Sequence, residues 1–326
     1  MSIVFGGDRI LASLHGEARH KVDKVFSDLI PKTGPSVDQH VSHLLKFGWG
    51  GHEAEQKVTG QLITARSFNE LIDRLNIGIE NTGINNVELD RQLPQDQIIL
   101  AAYYNAITAY AEDLLMSPNE LNPARARIAQ IGNAVRTTSW QNIITLVYDT
   151  VFPNFDHIRY FFNSGSTIRM DFSQTGNRPG NGYRDWEYMF LRTGIISYGI
   201  NGLSISGNAN FTDGHIPYVK LNSAEYQLLG TIHVGGQGDV YGGYGGYGAY
   251  GNPMYIRVYG KLVGNNDHAV RFKAELDNIN ATGLHTVYGN TNCQISYRKP
   301  INNSRPTTRL HIAPPEFTMI TELRGS

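Results

Sequence analysis

At 326 residues the chain is long enough for two domains, or for one large domain with an extension, and a 40% hydrophobic content is enough to bury a core. A net charge of −1 denies it the broad positive field that nucleic-acid or anionic-membrane binding needs, and charged residues at 17% are sparse for a free-standing cytosolic enzyme, a balance suited to a subunit of an assembly. The single cysteine, Cys293, excludes an intramolecular disulfide and a Cys-based zinc site.

The N-terminus has no basic region followed by an apolar run, so no signal peptide is expected, and nowhere do about 18 apolar residues run together to mark a membrane span. Residues 8–30 read as a helix: Asp8 can cap it, Leu11, Leu14, Ala18, Val22, Val25, Phe26 and Leu29 recur at spacings of three and four, and Pro31 ends it. Val37, Val41, Leu44 and Leu45 suggest a short second helix, and residues 47–51 (Phe-Gly-Trp-Gly-Gly) a break.

A third helix starts after Thr64, a plausible N-cap, with Phe68, Leu71, Ile72 and Leu75 as its apolar stripe. The pattern then repeats: Ile63, Ala65, Phe68, Asn69 and Leu71 align with Ile99, Ala101, Tyr104, Asn105 and Ile107, an internal duplication of two copies. Asn122 and Pro123 begin a last short helix, with the proline suited to the first helical position.

After about Gly132 the apolar period changes from 3.6 to 2. Trp140 to Tyr148 is the first β run. In residues 157–172, Ile158, Tyr160 and Phe162 share one face of a period-two pattern, as do Ile168, Met170 and Phe172, while Arg159, Arg169 and Asp171 fall on the other. Residues 163–166 (Asn-Ser-Gly-Ser) sit between as turn chemistry, with Gly165 able to take φ > 0. The stretch predicts a β-hairpin in which Tyr160, Phe162 and Ile168 are core and Arg159 is not.

The segment from Tyr160 to Gly165 followed by Ile168 and Arg169 resembles a signature of tailed-bacteriophage virion structural proteins, whose members often read YFFN-S/A-GG and then IR; Ser166 stands where the second glycine would be. The same family often carries tandem I-T-A-x-x-W/Y-N-x-L segments upstream, which the duplicated segments are similar to, with Phe68 and Tyr104 in place of the Trp and Leu100 in place of the second capping Thr. The resemblance continues through Trp186 and the Gly194-Ile-Ile-Ser-Tyr-Gly199 segment to the run from Val287 to Tyr297. It implies a non-enzymatic virion component of the tail, baseplate, neck or collar, or a fibre. Such a subunit assembles in the host cytoplasm with copies of itself and with other virion proteins.

Beyond the hairpin, residues 177–182 read as a loop, 195–205 as strand-like, and Tyr226 to Val234 as a strand. Tyr255 to Val263 alternates cleanly, with Ile256, Val258 and Leu262 on one face and Tyr255, Arg257, Tyr259 and Lys261 on the other. After the turn at 264–267, Val270, Phe272, Ala274 and Leu276 alternate with Arg271, Lys273, Glu275 and Asp277, so that opposite charges across the strands would help to fix register. The fold expected is α+β: a helical assembly region over 1–131, an antiparallel β-sandwich, jelly-roll-like or immunoglobulin-like, over 132–313, and a C-terminal arm over 314–326 after Pro314 and Pro315.

Chemistry-bearing patterns are few. His40 and His43, with His15, His20 and His52 nearby, lack a carboxylate at helical spacing and are read as ordinary histidines; no metal or cofactor is expected. Glu53 and Glu55, and Glu275 and Asp277, are read as surface, and Cys293 as core. The unusual segment is 235–253, in which Tyr241, Tyr244, Tyr247 and Tyr250 recur every three residues among glycines. It is expected as an extended loop, either low-complexity filler or an interaction tip. Hence the runner-up reading, a receptor-binding adhesin touching a host surface receptor through that loop, and a third, a polysaccharide depolymerase.

Overall fold

The computed structural model describes residues 2–26, 48–50, 61, 63–84, 101–116, 120–176, 181–234, 254–264, 267–277, 286–301 and 312–325. Among these lie five α-helices and eleven strands: a helical N-terminal region, then two antiparallel sheets of a sandwich. The chain divides into two compact units. One comprises Met1–Arg127, Arg159–Ser166 and Lys299–Ala313; the other comprises Ile128–Ile158, Thr167–Arg298 and Pro314–Ser326. The first unit thus joins the N-terminal helices to two later segments of the chain.

In the first unit, α1 (Ser2–Phe26) starts earlier than the sequence predicts, and the second helix expected over 37–45 lies outside the described residues. The helix α2 (Ala65–Thr82) begins where expected. The Thr64 hydroxyl accepts from the Ser67 backbone N–H at 3.2 Å while the Ser67 hydroxyl accepts from the Thr64 N–H at 3.1 Å, a reciprocal capping box. The helix α3 (Ala101–Met116) carries the second copy of the duplicated segment. The duplication has a packing meaning, because the aligned residues Phe68 and Tyr104 meet edge to face, 5.1 Å between centroids, and both are buried. The Tyr104 hydroxyl lies 3.1 Å from His15 Nδ1. Asp23, almost wholly buried, pairs with Arg74 and with Arg19, and the Arg74 guanidinium lies 5.3 Å from the centre of the Phe26 ring.

The predicted hairpin is a helix followed by a strand. The helix α4 (Phe155–Asn163) is capped by Asn154, whose Oδ1 accepts from the His157 N–H at 3.1 Å. Ile158, Phe161 and Phe162, spaced i, i+3, i+4, have no exposed surface. Gly165 does take φ 77°, but it ends the helix: Ser166 N–H donates to Phe161 O and Gly165 N–H to Phe162 O, a Schellman closure. Two sequence-level assignments fall with the hairpin. Tyr160 is half-buried instead of core, and Arg159 is fully buried with its guanidinium 4.9 Å from the centre of the Tyr160 ring. Asn163 Nδ2 donates to Gly48 O at 3.2 Å, and the Tyr160 ring lies against Gly50, so the Gly-Trp-Gly break is what the C-terminal half of α4 packs on.

The sandwich has a five-stranded sheet, β1-β10-β3-β4-β5, and a six-stranded sheet, β11-β2-β9-β8-β7-β6. The strands of the first are β1 (Ala126–Arg136), β3 (Thr167–Thr175), β4 (Ile196–Gly199), β5 (Gly202–Ile205) and β10 (Asn290–Pro300). Those of the second are β2 (Ile143–Val151), β6 (Asn210–Thr212), β7 (Gln227–Val234), β8 (Met254–Val263), β9 (Ala269–Asp277) and β11 (Glu316–Gly325). Ile168, Met170 and Phe172 of β3 and Cys293 and Ile295 of β10 are buried, as are Ile144, Leu146 and Tyr148 of β2 and Phe272, Ala274 and Leu276 of β9. Tyr198 of β4 meets Phe272 of β9 across the core at 5.4 Å. A helix begins within the loop predicted over 177–182: α5 (Asn181–Thr193) buries Trp186, Met189 and Phe190, with Phe190 stacked on Phe172 at 5.6 Å.

The tail is likewise corrected. The two prolines do precede a break, but residues after them form β11, which pairs antiparallel with β2 and belongs to the sandwich. Its residues alternate in type from Glu316 to Met319, with Phe317 and Met319 half-buried, and after the break at Ile320 and Thr321 Leu323 is buried, a pattern the prolines obscure.

Candidate interaction site

The residues named from sequence separate by role. Phe162, Ile168, Phe68 and Tyr104 are buried structural residues. Tyr241, Tyr244, Tyr247 and Tyr250 lie outside the described residues, as do His40, His43, His52, Glu53 and Glu55. His15 is buried against Tyr104, and His20 is exposed. Among the described residues no three His, Cys, Asp or Glu side chains converge as a metal site would require. Burial pushes the Cys293 thiol well above its ordinary range, which removes the thiolate a nucleophile needs.

The outer face of the six-stranded sheet gathers tyrosines and charges of both signs. The predicted alternation of β8 and β9 holds, and Arg257 stands opposite Glu275. Arg257 also bonds Asp277, and Lys273 bonds Glu275 at 2.9 Å, so these two carboxylates belong to structural ion pairs. Lys261, however, faces Arg271, a like-charge pair. The clash is relieved on both sides: Arg271 turns to Asp149 of β2 in a bidentate pair at 2.7 and 2.8 Å, and Lys261 Nζ lies 4.8 Å from the centre of the Tyr226 ring. Lys273 Nζ sits 4.1 Å from the centre of Tyr259 and 4.9 Å from that of Tyr226. The Asp149 bond leads in raising the Arg271 pKa, and burial leads in raising those of Tyr226 and Tyr259. Long side chains held this way lose little further entropy on contact, which suits the face to partner recognition.

A second feature is the edge of the five-stranded sheet. Among the described strands none pairs with the outer side of β1. Its central residues 128–135 (Ile-Ala-Gln-Ile-Gly-Asn-Ala-Val) carry no charge and no proline. Ile128 is 57% exposed and Val135 40% exposed. Natural sheets usually blunt such an edge with lysine, proline or a bulge. The neighbouring edge strand β11 is blunted, since its pairing with β2 shifts register around Thr321, where Ile320 is exposed. The two strands lie close: a Cβ on Gly132 would stand 2.6 Å from the Phe317 ring, and Arg136 Nη1 donates to Leu323 O at 2.8 Å.

Sequence reasoning missed β1, placing the change to β structure near residue 132. Ile128, Ile131 and Val135 recur at helical spacing, and a strand exposed on both faces has no buried face to impose alternation. The signal that could have found it is Gly132, which weakens a helix through this run. Comparison with known protein families, with curated proteins and with solved structures gives no match for this chain.

Proposed function

We propose that this protein is a non-enzymatic structural subunit of a tailed-phage virion, in the tail, baseplate, neck or collar, or a fibre, and that it works by assembling with copies of itself and with other virion proteins. The observation that carries the reading is the uncharged edge of β1, on which no described strand pairs and Ile128 and Val135 are exposed. An added strand from a neighbouring subunit satisfies its backbone N–H and C=O groups and covers both side chains. The Tyr, Arg and Lys face of the other sheet supplies a second, polar contact. The sequence resemblance of the duplicated segments and of residues 160–169 to virion structural proteins points to the kind of assembly.

Light scattering on the full chain is expected to show a closed homo-oligomer at micromolar concentration. Ile128→Lys combined with Val135→Lys should dissociate it while leaving the melting temperature within a few degrees, because neither side chain is core. A wild-type chain that stays monomeric at tens of micromolar removes the self-association. Mass spectrometry of purified particles from the source that encodes the chain tests the virion assignment, and its absence from them would sink it.

A further inference from the structure

The sandwich carries a cleft that the assembly reading does not use. It opens where β1 passes to β2, a broad and open depression of about 690 Å³. Two arginines line it, Arg136 from the end of β1 and Arg324 from the end of β11. Ser139, Gln141, Asn142 and Thr286 supply hydroxyl and amide groups between them.

The cleft is rigid beneath and polar above. Trp140 forms its floor, 3% exposed, bridged in antiparallel fashion to Val287. Its indole N–H donates to Thr291 Oγ1 at 3.0 Å; that hydroxyl donates to Gln174 Oε1 at 2.8 Å, and Gln174 Nε2 donates to Tyr288 O at 2.7 Å. This buried chain is fully donor-to-acceptor and fixes the loop that bears the polar groups. Asn142 holds φ 52°, a left-handed conformation that lifts the end of this loop out of the extended path. Gln141 Nε2 donates to Thr286 Oγ1 at 2.6 Å and ties the two rims.

The charges are one-sided. Arg136 is held by neutral carbonyls, Leu323 O at 2.8 Å and Ser139 O at 3.3 Å, and among the described residues no carboxylate lines the cleft. Neither arginine has a carboxylate partner among the described residues, in contrast to Arg257 and Arg271 on the outer face. Two guanidinium groups lining one open cleft raise the local anion concentration, and a planar fork suits a carboxylate. The neutral amides and hydroxyls suit the hydroxyls of a sugar, and the indole is too deeply buried to offer the apolar pocket that a peptide side chain would fill.

We propose that this cleft binds an acidic oligosaccharide, with a sugar carboxylate on Arg324 and Arg136 and ring hydroxyls on Gln141, Asn142 and Ser139. The proposal is independent of the assembly reading: an edge-strand contact can fail while the cleft still binds, and the reverse.

Saturation-transfer NMR with titration of the full chain tests it, using tetragalacturonate as the acidic probe and maltotetraose as its neutral counterpart. Tetragalacturonate is expected to bind at least ten-fold more tightly than maltotetraose, and more weakly as salt is raised. Arg324→Gln, at an exposed strand end, should weaken binding at least ten-fold with an unchanged melting temperature, and Gln141→Ala should weaken it several-fold. Lys220→Gln, exposed and outside the lining of the cleft, should leave it unchanged. Equal binding of the neutral sugar, unaltered binding by Arg324→Gln, or no transfer from either sugar at millimolar concentration overturns the proposal. So does binding of inorganic sulfate or of tetraglutamate as tight as that of the acidic sugar, since the first makes the cleft a bare anion site and the second a peptide site. Light scattering on the same samples reads assembly separately.

Discussion

Replacing Phe161 and Phe162 one at a time by alanine distinguishes the two structures that residues 157–166 could adopt. In a period-two strand Phe162 is inward and Phe161 outward, so Phe161→Ala would cost little. In α4 both rings have no exposed surface and meet edge to face at 5.2 Å. An aromatic side chain that buries about 150–200 Å² is worth about 4–5 kcal/mol at about 25 cal/mol per Å². That agrees with the 3–5 kcal/mol commonly seen for Phe→Ala in cores, so each variant is expected to lose about 3–5 kcal/mol. The double variant should fall short of the sum by about 0.5–1.5 kcal/mol, because the first truncation already removes the ring contact. Urea unfolding followed by far-ultraviolet circular dichroism gives the midpoints and slopes needed. A Phe161→Ala loss below about 1 kcal/mol beside a Phe162→Ala loss above about 3 kcal/mol would refute the helix and restore the hairpin.

Gly50 sits at φ 80°, and a Cβ there would stand 2.8 Å from Tyr160 Cδ2, so Gly50→Ala should cost about 2 kcal/mol or more, read as a fall in melting temperature; an unchanged value removes the packing of Tyr160 on that break. The Tyr148 hydroxyl is buried with no hydrogen-bond partner among the described residues, and burial first, then the neighbouring Cys293, hold its pKa well above the ordinary tyrosine range. Tyr148→Phe should therefore be neutral or stabilising by about 1 kcal/mol, and a loss of more than about 1 kcal/mol would mean that the hydroxyl is bonded. Lys299 is 4% exposed, and burial first, then the nearby Arg127 charge, push its pKa down to about 8 from 10.5. Between those values the unfolded chain binds the proton and the folded chain does not, so its contribution to stability rises with pH from about 8 to about 10.5. The slope is at most about 1.4 kcal/mol per pH unit. Lys299→Met should flatten that rise in denaturation midpoints measured from pH 7 to 10.5, and identical pH profiles would place the amine in water.

What the sequence determined by itself is what local chemistry and periodicity can express. Thr64 and its stripe of Phe68, Leu71, Ile72 and Leu75 specify α2 because a cap and a one-sided apolar face leave a single register. The strict alternation through β8 and β9 does the same for a strand whose inner face is buried, so both strands and the sandwich class were legible, whereas of the opposite charges expected across the register only Arg257 and Glu275 face each other and Lys261 meets Arg271. The duplicated segments announced two similar helices, but only packing showed that Phe68 and Tyr104 meet each other.

The tertiary structure decided the cases in which one pattern fits two periods. Residues 158–162 are apolar at both i, i+2, i+4 and i, i+3, i+4. Asn154 as cap and Gly165 as Schellman residue select the helix, and the burial of Arg159 beside Tyr160 follows from that choice. Trp186, Met189 and Phe190 show the same ambiguity, resolved by the ring of Phe172 on a strand distant in sequence. Edge strands escaped the sequence for the opposite reason. The β1 strand buries neither face along most of its length, so nothing in its own residues enforces a period of two; its partner β10 holds it there. The cleft was invisible for a related cause. Arg136 and Arg324 stand far apart in the chain, and only the pairing of β11 with β2 beside the end of β1 brings both guanidinium groups to one opening, where no carboxylate of the described residues neutralises them.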